Sequence, residues 1–142
     1  MAKWCINALQ VRGSKEDVAK FRKQAKGFPP GPSPGPGELP DAFNFHSLIP
    51  VPVGDLGYEY LDDWEKENWG CIWGAYDSQI MKESDRCLLY NFKTPVSPPL
   101  KLIAQVSKDW PTLIFELGYA QRGKGYTGMA KADAGRLEDH RS

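Results

Sequence analysis

Trp4-Cys5-Ile6-Asn7-Ala8-Leu9-Gln10-Val11, a break at Gly13, and then Ser14-Lys15-Glu16-Asp17 is the stretch on which the fold turns. The first eight residues read as a β-strand. Ser14 opens a variant of the capping box: its hydroxyl is placed to accept from the third helical amide, and Glu16 and Asp17 sit where the helix dipole favours negative charge. Val18, Phe21 and Ala25 then share one face of the helix, with Lys20, Arg22, Lys23 and Lys26 around the rest. A strand therefore hands over to an amphipathic helix.

Working outward, Phe43 to Pro50 reads as the second strand, stopped by the Pro50-Val51-Pro52 run. Tyr58 to Trp69 reads as a short acidic helix with Leu61 and Trp64 as its apolar residues, and Cys87 to Phe92 as the next strand. Ser97-Pro98-Pro99 starts a second helix, because proline costs nothing in a first turn whose N–H would be unpaired anyway. Leu100, Ile103, Val106 and Trp110 line one face of it, and Pro111 ends it. Thr112 to Tyr119 alternates Leu113, Phe115, Leu117 and Tyr119 against Ile114, Glu116 and Gly118, a half-buried strand. Gly123-Lys124-Gly125 supplies a turn, and Tyr126 to Lys131 a returning strand. The order strand, helix, strand, strand, helix, strand is that of an α+β ferredoxin-like βαββαβ sandwich. It carries an extra C-terminal strand, a Pro/Gly-rich insertion and an acidic helical insertion. One domain is expected over residues 1–132, with a flexible loop at 27–40 and a polar, frayed tail at 133–142.

The chain has 142 residues, 41% hydrophobic, and a formal net charge of zero. That zero is a sum of opposed patches. Met1 to Lys26 holds seven basic residues against Glu16 and Asp17, whereas Glu38 to Glu67 holds eight acids against Lys66 alone. A domain that binds nucleic acid chiefly by counterion release is usually basic overall, so that class is not favoured. Gly27 to Pro40 contains six prolines and four glycines, which cannot form a regular ladder. No apolar run approaches the ~18 residues that span a bilayer, and no apolar core follows Met1, so a cytoplasmic protein is expected. Cys5, Cys71 and Cys87 are odd in number and lack paired metal spacing, which points to reduced thiols.

Several strings, in order along nearly the whole chain, carry a resemblance. They are Trp4-Cys5-x-Asn7; Asn44-Phe45-x-x-Leu48-Ile49-Pro50; Glu67-Asn68-Trp69-Gly70-x-x-Trp73-x-Ala75-Tyr76-Asp77; Tyr90-x-Phe92-x-Thr94; and Gly125-Tyr126-x-Gly128. Together they resemble the YubB-like ferredoxin-fold family of phage and plasmid proteins. The resemblance implies a ferredoxin-like fold and carriage on mobile elements, and it implies no known reaction.

Reactive groups are sparse. Of two histidines, His140 lies in the polar tail and His46 reads as a surface or sheet-edge residue; Cys71 has no basic neighbour to activate it. Asp62 with Glu65, and Asp63 with Glu67, share helix faces at spacings that could meet a hard cation, but a solvated acidic face is the simpler reading. Gly123-x-Gly125-x-x-Gly128 matches the dinucleotide fingerprint only as a string, because a strand rather than a helix is expected after it. No metal or cofactor is expected. What stands out is an aromatic excess. Trp69, Trp73, Tyr76 and Asp77 form a segment suited to a pocket wall, with Tyr90 as a further ring, and Arg122 and Lys124 offer positive charge beside Tyr126. The expected function is therefore binding without catalysis, by a phage or mobile-element accessory protein in the cytoplasm of its bacterial host. It would take a host protein or a small nucleotide ligand, for instance in counter-defence. Two alternatives are single-stranded nucleic-acid binding on the open sheet face through Tyr90, Tyr119 or Tyr126, and a metal-dependent enzyme using Asp62, Asp63 or Glu67. A bare ferredoxin-like sheet leaves one face open, so a homodimer through that face, or its coverage by residues 53–80, is also expected.

Overall fold

The opening strand and helix form where the sequence places them. In the computed structural model, which describes residues 4–28, 35–52 and 61–141, β1 runs Trp4–Arg12 and α1 runs Lys15–Ala25. Cys5, Asn7, Leu9 and Val11 are buried and alternate with Ile6, Ala8 and Arg12 on the other face. The Ser14 hydroxyl accepts from the Asp17 N–H at 3.2 Å, and Val18, Phe21 and Ala25 are the residues that α1 buries. The expectations for residues 29–34 of the proline-rich stretch, and for residues 58–60 of the acidic helix, lie outside the described residues.

The remaining elements are α2 (Phe45–Leu48), α3 (Leu61–Asn68), β2 (Tyr76–Glu83), β3 (Cys87–Pro95), α4 (Leu100–Asp109), β4 (Ile114–Gln121), β5 (Tyr126–Asp133) and β6 (Arg136–Arg141). Two expectations are overturned. Residues 43–50 are not a strand: the Asn44 side chain accepts from the Ser47 N–H at 2.9 Å and caps α2, a local bond that outweighs the apparent alternation of Phe43 and Phe45. The second strand is instead β2. Its exposed, charged sequence shows no alternation because it lies at the sheet edge, with two register irregularities against β3, devices that discourage edge-to-edge pairing. Residues 133–141 are not a frayed tail either. Ala134 (φ 50°) and Gly135 (φ 89°) make the turn between paired Asp133 and Arg136, with positive φ at both central positions as a tight hairpin requires. β6 is the result.

All neighbouring strands are antiparallel, in the order β2-β3-β1-β4-β5-β6. Without β5 and β6 this is the ferredoxin-like order, with β3 inserted between β1 and β2. The odd-numbered residues of β1 and β4 and the even-numbered ones of β3 bury Leu9, Val11, Phe115, Leu117, Leu88, Tyr90 and Phe92 beneath the helices. From α4 come Leu102, Ile103 and Val106; Leu100 and Trp110, expected on that buried face, are only half-buried. Phe21 is the hub between layers, its ring 5.3 Å from Trp110 and 5.4 Å from Phe115. Within the same face, buried Asn7 donates to the Thr94 hydroxyl at 3.0 Å, and Thr94 donates to the Ser97 carbonyl at 2.7 Å, so these two buried side chains are satisfied internally.

Residues 61–75 pack on the helix side, where the Trp69 carbonyl accepts from the Leu102 N–H at 3.1 Å. Of the segment expected to cover the opposite sheet face, residues 53–60 lie outside the described residues. Ile6 and Met129 stay 41% and 55% exposed on that face. No helix among the described residues is long and apolar enough to cross a membrane.

Candidate functional site

Helix α3 ends because Gly70 enters the left-handed region at φ 85°. A Cβ at that position would press on the backbone nitrogens of Leu100 and Lys101, at 3.2 and 3.1 Å, so glycine permits the close approach of α3 to the first turn of α4. The Ser97 hydroxyl seals the contact by donating to the Gly70 carbonyl at 2.8 Å. Trp69 is thereby fixed in the core, its ring 5.4 Å from Phe45 and 5.8 Å from Trp64, with its indole N–H donating to the Ile49 carbonyl.

Beyond that anchor the backbone is unusual. Trp73 (φ 69°), Gly74 (φ 85°) and Asp77 (φ 52°) all adopt positive φ, a conformation that costs a bulky residue such as Trp of order 1–3 kcal/mol. Two carboxylates of α3 hold Trp73 in place. Glu65 Oε1 accepts its backbone N–H and Asp62 Oδ1 accepts its indole N–H, each at 3.2 Å. The spacing of three puts both acids on one helix face, as the sequence indicates, and that face holds a tryptophan. Trp73 itself stays 58% exposed.

A cleft of about 320 Å³ lies between this segment and the chain around α2. Asp41, Asn44, Phe45 and His46 form one wall, and Trp69 with Trp73 to Asp77 the other. The volume is at the lower end of the range for small-molecule or side-chain pockets. His46 Nδ1 accepts the Val51 N–H at 2.9 Å, which puts the ring proton on Nε2, and burial lowers its pKa, so the imidazole is neutral at pH 7. Burial raises the pKa of Glu65, partly opposed by the Trp73 N–H, with nearby Asp62 adding to the rise. Burial also pushes the Cys71 thiol well above the ordinary thiol range, with Glu65 contributing, and raises Cys5 to about 11. Neither is a thiolate nucleophile. Among the described residues no group of three His, Cys, Asp or Glu side chains is placed to hold a metal ion.

The eight residues named from the sequence do not form one site. Trp69, Trp73, Tyr76 and Asp77 line the cleft. Tyr90 is wholly buried beneath the helices, 5.1 Å from the Phe43 ring, and its hydroxyl has no hydrogen-bond partner. Arg122 and Lys124 are exposed between β4 and β5. Tyr126 belongs to a second cluster, where the Arg141 guanidinium lies 4.2 Å from its ring centre and the Tyr119 hydroxyl donates to Asp139 at 2.5 Å. Four strand spacings separate β2 from β5, about 19 Å, so this cluster stands apart from the cleft. Tyr90, Tyr119 and Tyr126 all sit on the helix-covered face by their pairing register, which removes them from the open face. The rings available there are Trp4 and Tyr76, edge to face at 5.1 Å. From the sequence, Asp41 and Asn44 do not stand out as site residues, and His46 and Glu65 read as a surface or sheet-edge histidine and part of a solvated acidic face. The signal was the Asn44-x-x-Ser47 cap, which turns residues 45–48 into a wall.

The fold has known counterparts. Residues 73–142 match the family model of the ferredoxin-like domain in Api92-like protein. The match starts at the exposed tryptophan of the cleft and runs through all five strands from β2 to β6. The crystal structure of a protein api92 from Yersinia pseudotuberculosis is similar over 99% of this chain and 98% of that chain, with a TM-score of 0.74 and 10% identity. That likeness is one of fold, and the fold is ferredoxin-like α+β. No curated protein matches the chain.

Proposed function

We propose that the protein acts by binding, without turnover, and that the cleft between α2 and residues 73–77 receives a group from a partner protein. The observation that carries this reading is Trp73: a large apolar ring, 58% exposed, on a left-handed backbone that two α3 carboxylates hold in position. Strain of that kind persists where the surroundings over-determine it, and tryptophan is enriched among the residues that anchor protein interfaces. The groups around the cleft argue against catalysis: the thiol of Cys71 is buried and protonated, His46 Nδ1 is engaged by Val51, and Glu65 is engaged by Trp73.

Of the two ligand kinds expected from the sequence, a host protein and a small nucleotide, the first is favoured. Asp41 and Asp77 line the cleft and, among the described residues, no Lys or Arg does, so phosphates would meet like charge. In the phage or plasmid setting that the motif resemblance implies, the partner is a host factor and the consequence is counter-defence. Native mass spectrometry of the intact chain with host lysate and a nucleotide panel tests the proposal. A retained protein that Trp73→Ala loses is the expected result; turnover of a substrate with no retained partner refutes it.

A further inference from the structure

We infer that the cleft takes a cationic side chain, arginine or lysine, of the partner polypeptide, an inference that rests on the binding reading above. Charge and shape act together. Asp41 and Asp77 come from opposite walls, and Asp62 sits against the indole edge of Trp73. Among the described residues, no Lys or Arg lines the space to neutralise them. The nearest cation recorded beside them, Lys93, reaches Asp77 only at 3.7 Å, with both side chains largely in solvent, a pairing that an incoming cation displaces at small cost.

The aromatic lining completes the fit. An indole face attracts guanidinium or ammonium through its quadrupole, and the Asp62 carboxylate, by accepting the indole N–H, leaves that face free for a visitor. The indole of Trp73, 58% exposed, also offers apolar surface for the aliphatic stem. The preference is for a cation on a carbon chain, and against both phosphate and carboxylate ligands.

Titration of the full chain with the Nα-acetyl amides of arginine, lysine and glutamate, and with adenosine monophosphate, is the test. The indole N–H resonance of Trp73, assigned through Trp73→Phe, is the readout. The arginine or lysine amide is expected to shift it saturably, with a dissociation constant of about 1–10 mM, as suits one side chain without its protein. Trp73→Ala, followed on neighbouring amide resonances, should weaken that binding about fivefold. Asp77→Asn should weaken it about threefold, and it retains the left-handed preference of the position. Tighter binding of the glutamate amide or the nucleotide, or cation binding unchanged in an Asp41→Asn, Asp77→Asn double variant, overturns the cation inference while the binding reading stands. If no probe moves the resonance, and Trp73→Ala still retains the lysate partner, the cleft itself is the wrong site and both fall.

Discussion

Gly128 is the position where one added carbon should do most damage for its size. It pairs with Tyr119 across β4 and β5, and a Cβ there would lie inside the end of the Tyr119 ring. The phenol has to leave. It then loses its hydroxyl bond to Asp139 at 2.5 Å, the bond from Arg141 Nε at 3.2 Å, and its edge contact with Tyr126, whose ring centre is 6.1 Å away. A hydrogen bond to a charged partner contributes about 1.5–3 kcal/mol, taken at the low end here because Asp139 is exposed. The aromatic pair adds about 1 kcal/mol. Replacing glycine inside a strand returns about 0.5–1 kcal/mol through reduced unfolded-state entropy. Gly128→Ala should therefore cost about 2 kcal/mol in urea denaturation. Gly118→Ala, at the adjacent pair and in ordinary contact with the Met129 thioether at 3.7 Å and the Ala8 carbonyl at 3.9 Å, should be neutral within about 0.5 kcal/mol. In a Tyr119→Ala background the cost of Gly128→Ala should vanish, because the space is then open. A Gly128→Ala cost below about 0.5 kcal/mol in the intact chain, or the same cost in both backgrounds, would refute the reasoning.

Three further outcomes follow from the site. Glu65 is buried with its pKa raised in the folded state, so it contributes stability that is present below the unfolded carboxylate value and is lost as pH rises through the folded one. The stability of Glu65→Gln relative to the parent should accordingly improve from pH 4 to pH 7 in denaturant titrations, and a constant difference would count against it. His46 has the opposite sign: its folded pKa is lowered, so its contribution is full above the unfolded value near 6.5 and fades as pH falls. Nitrogen NMR at pH 7 should find Nε2 protonated and Nδ1 bare, and Val51 amide exchange should quicken on acidification; a protonated Nδ1 at pH 7 would contradict the bond. Gly70→Ala should destabilise by about 2 kcal/mol or more, since left-handed strain adds to the contact with the α4 backbone, and unchanged thermal unfolding would show that the contact yields freely.

Much of the architecture was legible because it rests on local chemistry. The Ser14 cap, the Pro98-Pro99 start, the helix face of Val18, Phe21 and Ala25, and the inward run Leu113, Phe115, Leu117 and Tyr119 each follow from periods and caps that need no distant partner. Legibility failed where tertiary contact overrode the pattern. Phe43 and Phe45 look like alternate strand positions, yet both enter the core from a capped turn and short helix, because Asn44 binds Ser47 rather than a neighbouring strand. β2 has no apolar rhythm at all and exists because β3 supplies its hydrogen bonds. β6 is polar for the same reason, held by β5 and by Tyr119 reaching Asp139 and Arg141.

The candidate site divides along the same line. Sequence by itself determined that Trp69, Trp73, Tyr76 and Asp77 form a unit, since short-range spacing and flanking glycines fix it. It could not separate Trp69, buried beneath α4, from Trp73, exposed at the cleft, because that difference arises where α3 meets α4 and where α2 stands opposite. Nor could it detach Tyr90 and Tyr126, whose placement depends on which face of a six-stranded sheet each strand presents and on how far apart the strands lie. Local bonds write the elements into the sequence; side-chain neighbours across the sheet are decided only when strand order and register are set, since a shift of one residue reverses every side chain's face.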